Sequence, residues 1–268
     1  MPPHFRITTP SPQTLLVTLT RPGKLNCIDT STSRAIAAAW QRLDDDPSLC
    51  VGVITGEGRA FCAGADLLEW NTMNLTGTIN PMTAPGLAGL PRRAGKKPII
   101  AAVNGLCMGG GLEMIANCDM VLASPAALFA LPEARRGIVP VAGCLPRLVR
   151  TLGLQRTSEL VLTGRSVDAH TLERWGLVNR VVAPGQDVVR EALGVAAMMC
   201  ENSPDALIVG RRGVRLAWEA GGVEEQVAGL LAEGEQRGYE VLVQGANFRE
   251  GIRAFNEKRA PRWVDSKL

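Results

Sequence analysis

The stretch Pro98–Glu133, PIIAAVNGLCMGGGLEMIANCDMVLASPAALFALPE, decides how this chain folds. Pro98–Val103 is a short apolar run that reads as a buried strand, and Asn104–Gly109 follows as a turn. The run Gly109-Gly110-Gly111 opens a helix extending to about Asn117, after which Met120–Ala123 and Leu128–Ala130 read as further short strands. Alternation of this kind points to an α/β fold.

Within this apolar stretch up to Leu131 the only charged side chains are Glu113 and Asp119, and Glu133 follows at once after Leu131-Pro132. Burying an isolated carboxylate costs several kcal/mol or raises its pKa by several units, so such a group is paired, neutralised or functional. A raised pKa is what a general acid or base needs at neutral pH. For Glu113 the plainer alternative is helix electrostatics, since it falls in the first turn after the glycines. For Glu133 the plainer alternative is an ion pair with Arg135 or Arg136. The glycine run also lets a ligand approach backbone N–H groups at a helix start. Phe61-Cys62-Ala63-Gly64-Ala65-Asp66 is a second glycine-containing turn between a strand and a helix. Two such N–H groups facing one point would make an oxyanion hole, although each turn by itself could be ordinary.

Working outward, Phe5–Thr20 alternates in hydrophobicity around Pro10–Pro12 and predicts a hairpin. Ser31–Leu43 has helical spacing through Ile36, Ala39, Trp40 and Leu43, with Asp29 or Thr30 available as cap, and Cys50–Thr55 is an apolar strand. Asn71–Gly89, rich in Thr, Gly, Pro and Asn, reads as a mobile and functional loop. After Val182 the strand signals vanish. Val188–Cys200, Asp205–Trp218, Val223–Val243 and Phe248–Lys258 read as helices, and a boundary is placed near Ser203, dividing 1–202 from 203–268.

Composition narrows the chemistry. The chain has 268 residues, 46% hydrophobic and 21% charged, with no span apolar enough to cross a bilayer and no secretory leader pattern, so it reads as an ordinary soluble domain. A net charge of +3 and 4% aromatics supply neither the field nor the stacking surface for nucleic acid. Seven scattered cysteines without a C-x-x-C pair read as reduced core thiols in a reducing compartment, and no metal site is expected. His4 and His170 are the only histidines, both expected at the solvated surface, and there is no G-x-S-x-G elbow or P-loop. Acid–base work therefore falls to carboxylates. The basic cluster Arg92, Arg93, Lys96 and Lys97 is read as a solvated surface, with phosphate contact as the alternative.

Several motifs together are specific: Arg21-Pro22-Gly23-Lys24-Leu25-Asn26, Ala60–Asp66, Lys97–Gly105 with Gly109–Glu113, Cys118-Asp119, Phe129–Glu133, Leu162-Thr163-Gly164 and Ala254–Arg259. On these segments, spanning about residues 5 to 260, the chain resembles the enoyl-CoA hydratase/isomerase, or crotonase, family. The resemblance implies an α/β spiral of β-β-α repeats (the ClpP/crotonase fold) with C-terminal helices that pack subunits into trimers, usually paired as hexamers. It puts oxyanion-hole amides on Ala65 and Gly110 and the two hydratase carboxylates on Glu113 and Glu133. The implied reaction is addition of water across the 2,3-double bond of a trans-2-enoyl-CoA, with Glu113 activating water and Glu133 delivering the proton to C2.

The same resemblance lays CoA along the backbone of Lys24, Leu25 and Cys27 and of Ala63, Ala65, Asp66, Leu67 and Leu68, with Phe255 and Lys258 reaching it from a neighbouring subunit. CoA belongs to the substrate, and no metal or redox cofactor is implied. Where family hydratases carry a glycine-rich turn ending Gly-Gly-Thr, this chain reads Pro140-Val141-Ala142-Gly143-Cys144-Leu145, which sets Val141 and Cys144 near the water site. The Trp70–Gly89 segment is expected over the acyl chain. Alternatives are a double-bond isomerase using Glu133 as proton shuttle, and a non-catalytic acyl-CoA-binding or RNA-associated relative. The last residues, Ser266-Lys267-Leu268, equal the peroxisomal address read by an import receptor, so a peroxisomal location is expected, or a cytoplasmic one for a bacterial source.

Overall fold

A computed structural model describes residues 4–75, 85–219 and 238–267. The chain opens with the expected hairpin, β1 (Phe5–Ser11) antiparallel to β2 (Thr14–Leu19), in register from Phe5 opposite Leu19. Helix α1 (Thr30–Asp45) follows, its first turn held by the Asp29 carboxylate accepting from the Thr32 N–H at 2.7 Å.

Three β-β units then advance the chain. β3 (Val51–Gly56), β5 (Ile99–Val103) and β7 (Met120–Ala123) add parallel strands to a six-stranded sheet ordered β1-β2-β3-β5-β7-β10, with β10 at Arg180–Val181. Their following strands, β4 (Ala60–Cys62), β6 (Leu106–Met108) and β8 (Leu128–Ala130), build a second sheet that β9 (Val167–Asp168) completes. Each pair runs on into a helical segment: α2 (Leu67–Leu75), α3 (Gly110–Ile115), and a 3-10 turn at Pro132–Arg136 leading to α4 (Cys144–Leu152). This is the spiral of β-β-α repeats that the resemblance implies.

The inner strands β3, β5 and β7 of the larger sheet are largely apolar because both faces are covered. Val51–Gly56 and Ile99–Val103 are buried at every position. One face packs Val17, Ile54 and Ala101 with Trp40, Phe61 and Phe129. The other packs Val53, Ile100 and Leu122 against Ala192 and Ala196 of α7 (Val188–Cys200). α5 (Leu154–Thr163) and α6 (Ala169–Trp175) complete the core side, and α8 (Pro204–Glu219), α9 (Gly238–Gln244) and α10 (Ala246–Asn256) follow α7. Among the described residues no helix is long and apolar enough to cross a membrane.

Two asparagines staple the crossing from the large sheet to the small one. Asn26, itself in the left-handed region at φ 55°, accepts from the Arg21 N–H and donates to the carbonyls of Glu57 and Ala60 at 2.9 and 2.7 Å. Asn104 accepts from the Gly56 N–H and donates to Gly58 O. Gly56 has to be glycine, since a Cβ there would lie 2.4 Å from Phe61 O.

Several expectations are corrected. Residues 71–75 continue α2 and Leu87–Gly89 forms a 3-10 turn, so neither end of the Asn71–Gly89 segment is loop; residues 76–84 lie outside the described residues. The turn placed at Asn104–Gly109 contains β6, a strand too short to show a period. Most of the helix placed at Val223–Val243 lies outside the described residues, which resume at α9. The basic cluster is a solvated surface only in part: Arg92 is exposed, but Arg93 and Lys97 turn inward. The Arg93 guanidinium is buried on Asp44 at 2.6 Å, and Lys97, 2% exposed, donates from Nζ to Asp46 O.

Asn26 is 1% exposed, so Asn26→Ala strands several buried backbone groups at once. Loss of about 1–3 kcal/mol is expected, read as a lower urea midpoint at unchanged slope. An unchanged midpoint would remove the staple's role.

Candidate active site

The two carboxylates reach one cleft from separate repeats. Glu113 sits in the first turn of α3 and Glu133 in the 3-10 turn after β8, both 7% exposed. The cleft between them encloses about 370 Å³ and is also lined by Ala65, Gly110, Trp70 and Leu87.

Glu113 is held. Its Oε1 accepts from the Ala142 N–H at 2.9 Å, and the buried Cys144 thiol stands beside it. Burial raises its pKa, and the Ala142 amide and Cys144 thiol pull part of that shift back. Glu133 is held less. Its Oε2 is buried with no hydrogen-bond partner among the described residues. Burial pushes its pKa up to about 7; proximity to Glu113 adds to the rise, while its own backbone N–H and Arg136 oppose it. Arg135 donates instead to Thr163 O and Arg136 to Pro132 O, so the ion-pair alternative for Glu133 is not what the chain builds.

The backbone around them is equally specific. Ile28 N–H donates to Gly64 O and Asp66 N–H to Ile28 O, a bridge that turns the intervening Ala65 amide away from Ile28. Neither the Ala65 nor the Gly110 N–H donates to a group among the described residues. They lie close together: a Cβ on Gly64 would be 3.1 Å from Gly110 N, and one on Gly110 would be 3.7 Å from Ala65 N. Two unspent amides beside two buried carboxylates can stabilise a developing enolate while protons move on either side.

The remaining expected site residues divide. Leu25, Ala63 and Leu67 line the cleft. Lys24 is exposed and Leu68 is 66% exposed, while the Cys27 sulfur accepts from Arg21; none of the three lines it. The Asp66 carboxylate is occupied structurally. Burial disfavours its charge, yet the Arg21 guanidinium at 2.6 Å and the Leu68 N–H hold its pKa below the ordinary range. Phe255 and Lys258, on and just after α10, do not line the cleft of their own chain.

Val141 lines the cleft and is half exposed, whereas Cys144 is fully buried at the start of α4 with its thiol donating to Pro140 O. The Ala142 amide was not legible in the sequence, because backbone donors carry no residue-type signal. Nor was the polar part of the wall: Thr30 donates through N–H and hydroxyl to Glu69, and Ser33 Oγ accepts from the Ala88 N–H.

The raised pKa of Glu133 has a stability cost with a definite sign. The folded chain keeps this proton up to about pH 7, whereas the unfolded chain releases it in the ordinary glutamate range. The cost is therefore absent at acid pH, where both states hold the proton, and stability is lost as pH rises out of the ordinary glutamate range through about 7. Glu133→Gln should melt above wild type at a mildly alkaline pH, and the gain should vanish near about pH 4. A variant less stable than wild type under alkaline conditions would contradict an unpaired, buried Glu133.

The family described as Enoyl-CoA hydratase/isomerase matches residues 11–266. The chain is 54% identical to a mevalonyl-coenzyme A hydratase of Aspergillus fumigatus over 98% of its own length and 95% of the relative's. It is 38% identical to the 2,3-dehydroadipyl-CoA hydratase of Escherichia coli over 92% and 93% of the two chains. A solved enoyl-CoA hydratase of Mycobacterium marinum superposes with a TM-score of 0.88 at 30% identity, covering 98% of this chain and all of that one. The chain belongs to the enoyl-CoA hydratase/isomerase family, and within it is a hydratase of CoA thioesters.

Proposed function

We propose that the hydratase acts on mevalonyl-CoA, a 3-hydroxyacyl thioester with a branched C3 and a second hydroxyl at C5, interconverting it with the corresponding 2-enoyl-CoA. The observation that carries the choice of substrate is similarity over nearly the whole chain. Identity is 54% and 46% to two fungal mevalonyl-CoA hydratases, against 36% to a probable enoyl-CoA hydratase of Rhizobium meliloti. The wall of the cleft supports it. Ser33 has accepted the Ala88 amide, and no group among the described residues takes its own proton, which leaves a donor for a hydroxylated acyl end.

In this reading the Ala65 and Gly110 amides receive the thioester oxygen as it gains enolate charge. Glu113, oriented by the Ala142 amide, gives the C3 hydroxyl its proton in the dehydrating direction and activates water in the other. Glu133 exchanges the C2 proton, a task suited to a carboxyl near half-protonation at neutral pH. The two acids and two amides manage all the charge that develops, so the route needs no metal or redox cofactor. Because the acids are coupled, the pH profile belongs to the pair.

Two further readings go with it. A trimer or hexamer is supported by Phe255, 83% exposed on α10, which a neighbouring subunit would cover together with Lys258 against its own CoA site. Light scattering tests this, and a monomer would end it. A peroxisomal address is supported by Ser266-Lys267-Leu268. The Ser266 side chain is buried on Asp205, so an import receptor could read the address only after that contact opens. A fluorescent protein carrying this tail should collect in peroxisomes; diffuse signal would refute the address.

Steady-state kinetics decide the substrate. A kcat/KM for mevalonyl-CoA at least about tenfold above that for crotonyl-CoA is expected, equivalent to about 1.4 kcal/mol of selectivity. The reverse ranking would overturn the proposal while leaving the hydratase intact. Glu113→Gln and Glu133→Gln should each lose about 10²–10⁴-fold in kcat on either substrate. Near-native turnover by a folded double variant would remove both from the chemistry.

A further inference from the structure

Away from the cleft, two cysteines far apart in sequence meet at one corner of the large sheet. Cys50 ends the loop into β3, and Cys200 is the last residue of α7, which covers the outer face of that sheet. Adjacent residues at the start of β2 hold the two sulfurs. Gln13 Nε2 donates to Cys50 Sγ at 3.5 Å, while Thr14 Oγ1 stands 4.0 Å from Cys200 Sγ. The corner is rigid, since Gln13 O accepts from both the Cys50 and Val51 N–H groups and Thr14 is paired with Val51 in the sheet. Cys50 belongs to the buried cluster on this face of the sheet and Cys200 packs against that same cluster, close enough for each thiol to act on the other's charge.

Their environments differ. Cys50 is 5% exposed, whereas Cys200 is half-buried and open to solvent on one side. The Cys50 thiol and Thr14 hydroxyl both serve the Cys200 sulfur and lower its pKa against the opposing effect of burial, while its contact with Cys200 together with burial pushes the Cys50 thiol up. The buried Lys97 ammonium lies close enough to act on Cys50 electrostatically. A more acidic, reachable thiol backed by a buried one is an arrangement suited to two-step oxidation.

We propose that Cys200 and Cys50 form a peroxide-reactive dithiol that closes to an intramolecular disulfide between α7 and the start of β3. The Cys200 thiolate attacks one peroxide oxygen, forming S–O and breaking O–O, and the second oxygen leaves as water after taking a proton. Cys200 is thereby oxidised to a sulfenic acid. The Cys50 sulfur then attacks the Cys200 sulfur, S–S forms, S–O breaks, and hydroxide leaves with the Cys50 proton as water. In sum, two thiols and one hydrogen peroxide give one disulfide and two waters. The bond would anchor α7 where the C-terminal segment also docks, since Trp263 Nε1 donates to the carbonyl of Glu201, the next residue.

The full-length protein, reduced, desalted and exposed to a small excess of hydrogen peroxide, provides the test. The expected product is lighter by about 2 Da, yields a linked peptide containing Cys50 and Cys200, and reverts with dithiothreitol. Whole-oxygen mass gains without a linked peptide, or a link through any other cysteine, would overturn the proposal. Cys200→Ser, at the less buried position, should keep hydratase activity and lose the lighter product. Cys50→Ser should stop at a sulfenic acid on Cys200 that a dimedone-type reagent captures. Oxidation should also raise the melting midpoint of the wild type but not of Cys200→Ser; equal shifts in both would count against the bond.

Discussion

The cleft depends on one short passage of backbone, the step from β6 into α3 at Gly109. Its φ of 54° turns the chain so that the Gly110 N–H is left for a ligand, and a Cβ at Gly109 would stand 2.9 Å from Glu133 Oε1. One residue thus has to be glycine for two reasons, a positive φ and room for a buried carboxylate. Next to it the constraint repeats. A Cβ on Gly110 would strike Leu87 Cδ2 at 2.6 Å, and one on Gly111 would strike Cys62 O at 2.4 Å. The triple glycine lets α3 enter between the second strand of its own repeat and that of the repeat before, which is how amides from two repeats come to face one spot.

The staggered sheets explain why the acids arrive from different repeats. Each β-β unit deposits a strand in each sheet and then turns out through a helical segment at the same edge. Glu113 follows β6 and Glu133 follows β8, and these strands are hydrogen-bonded neighbours. The two carboxylates are brought near by strand pairing, and their separation in sequence is one turn of the spiral. Glu113 takes an amide from the next loop, at Ala142, whereas Glu133 Oε2 has no partner. That asymmetry gives two like groups different duties, an oriented one and one ready to hold a proton.

Much of this was legible before any coordinates. Strands buried on both faces appear as unbroken apolar runs, so Cys50–Thr55 and Pro98–Val103 stood out, and the two glutamates stood out because the long apolar stretch they punctuate carries no other charge but Asp119. β4 and β6 did not, since three residues cannot display a period and their glycine neighbours suggest turns. α4 was also missed; Pro146 lies in its first turn, where proline is tolerated but reads locally as a break. Within the Arg92–Lys97 cluster, Arg93 and Lys97 misled for another reason. Their partners, Asp44 and the carbonyl of Asp46, lie some fifty residues earlier, and no local pattern distinguishes a basic side chain bound for a buried acceptor from one bound for water.

The same limit separates the acids from the thiols. An isolated carboxylate in an apolar run signals its own cost, because burial of charge is expensive wherever the chain goes. A cysteine in an apolar run costs nothing and so signals nothing. The significance of Cys50 and Cys200 arises only when α7 lies across the large sheet and stops at the corner where β2 begins. What sequence reveals is thus weighted toward groups whose burial is unfavourable in itself. Sites made from groups that bury freely, backbone amides and thiols among them, become visible when the packing that joins them is known.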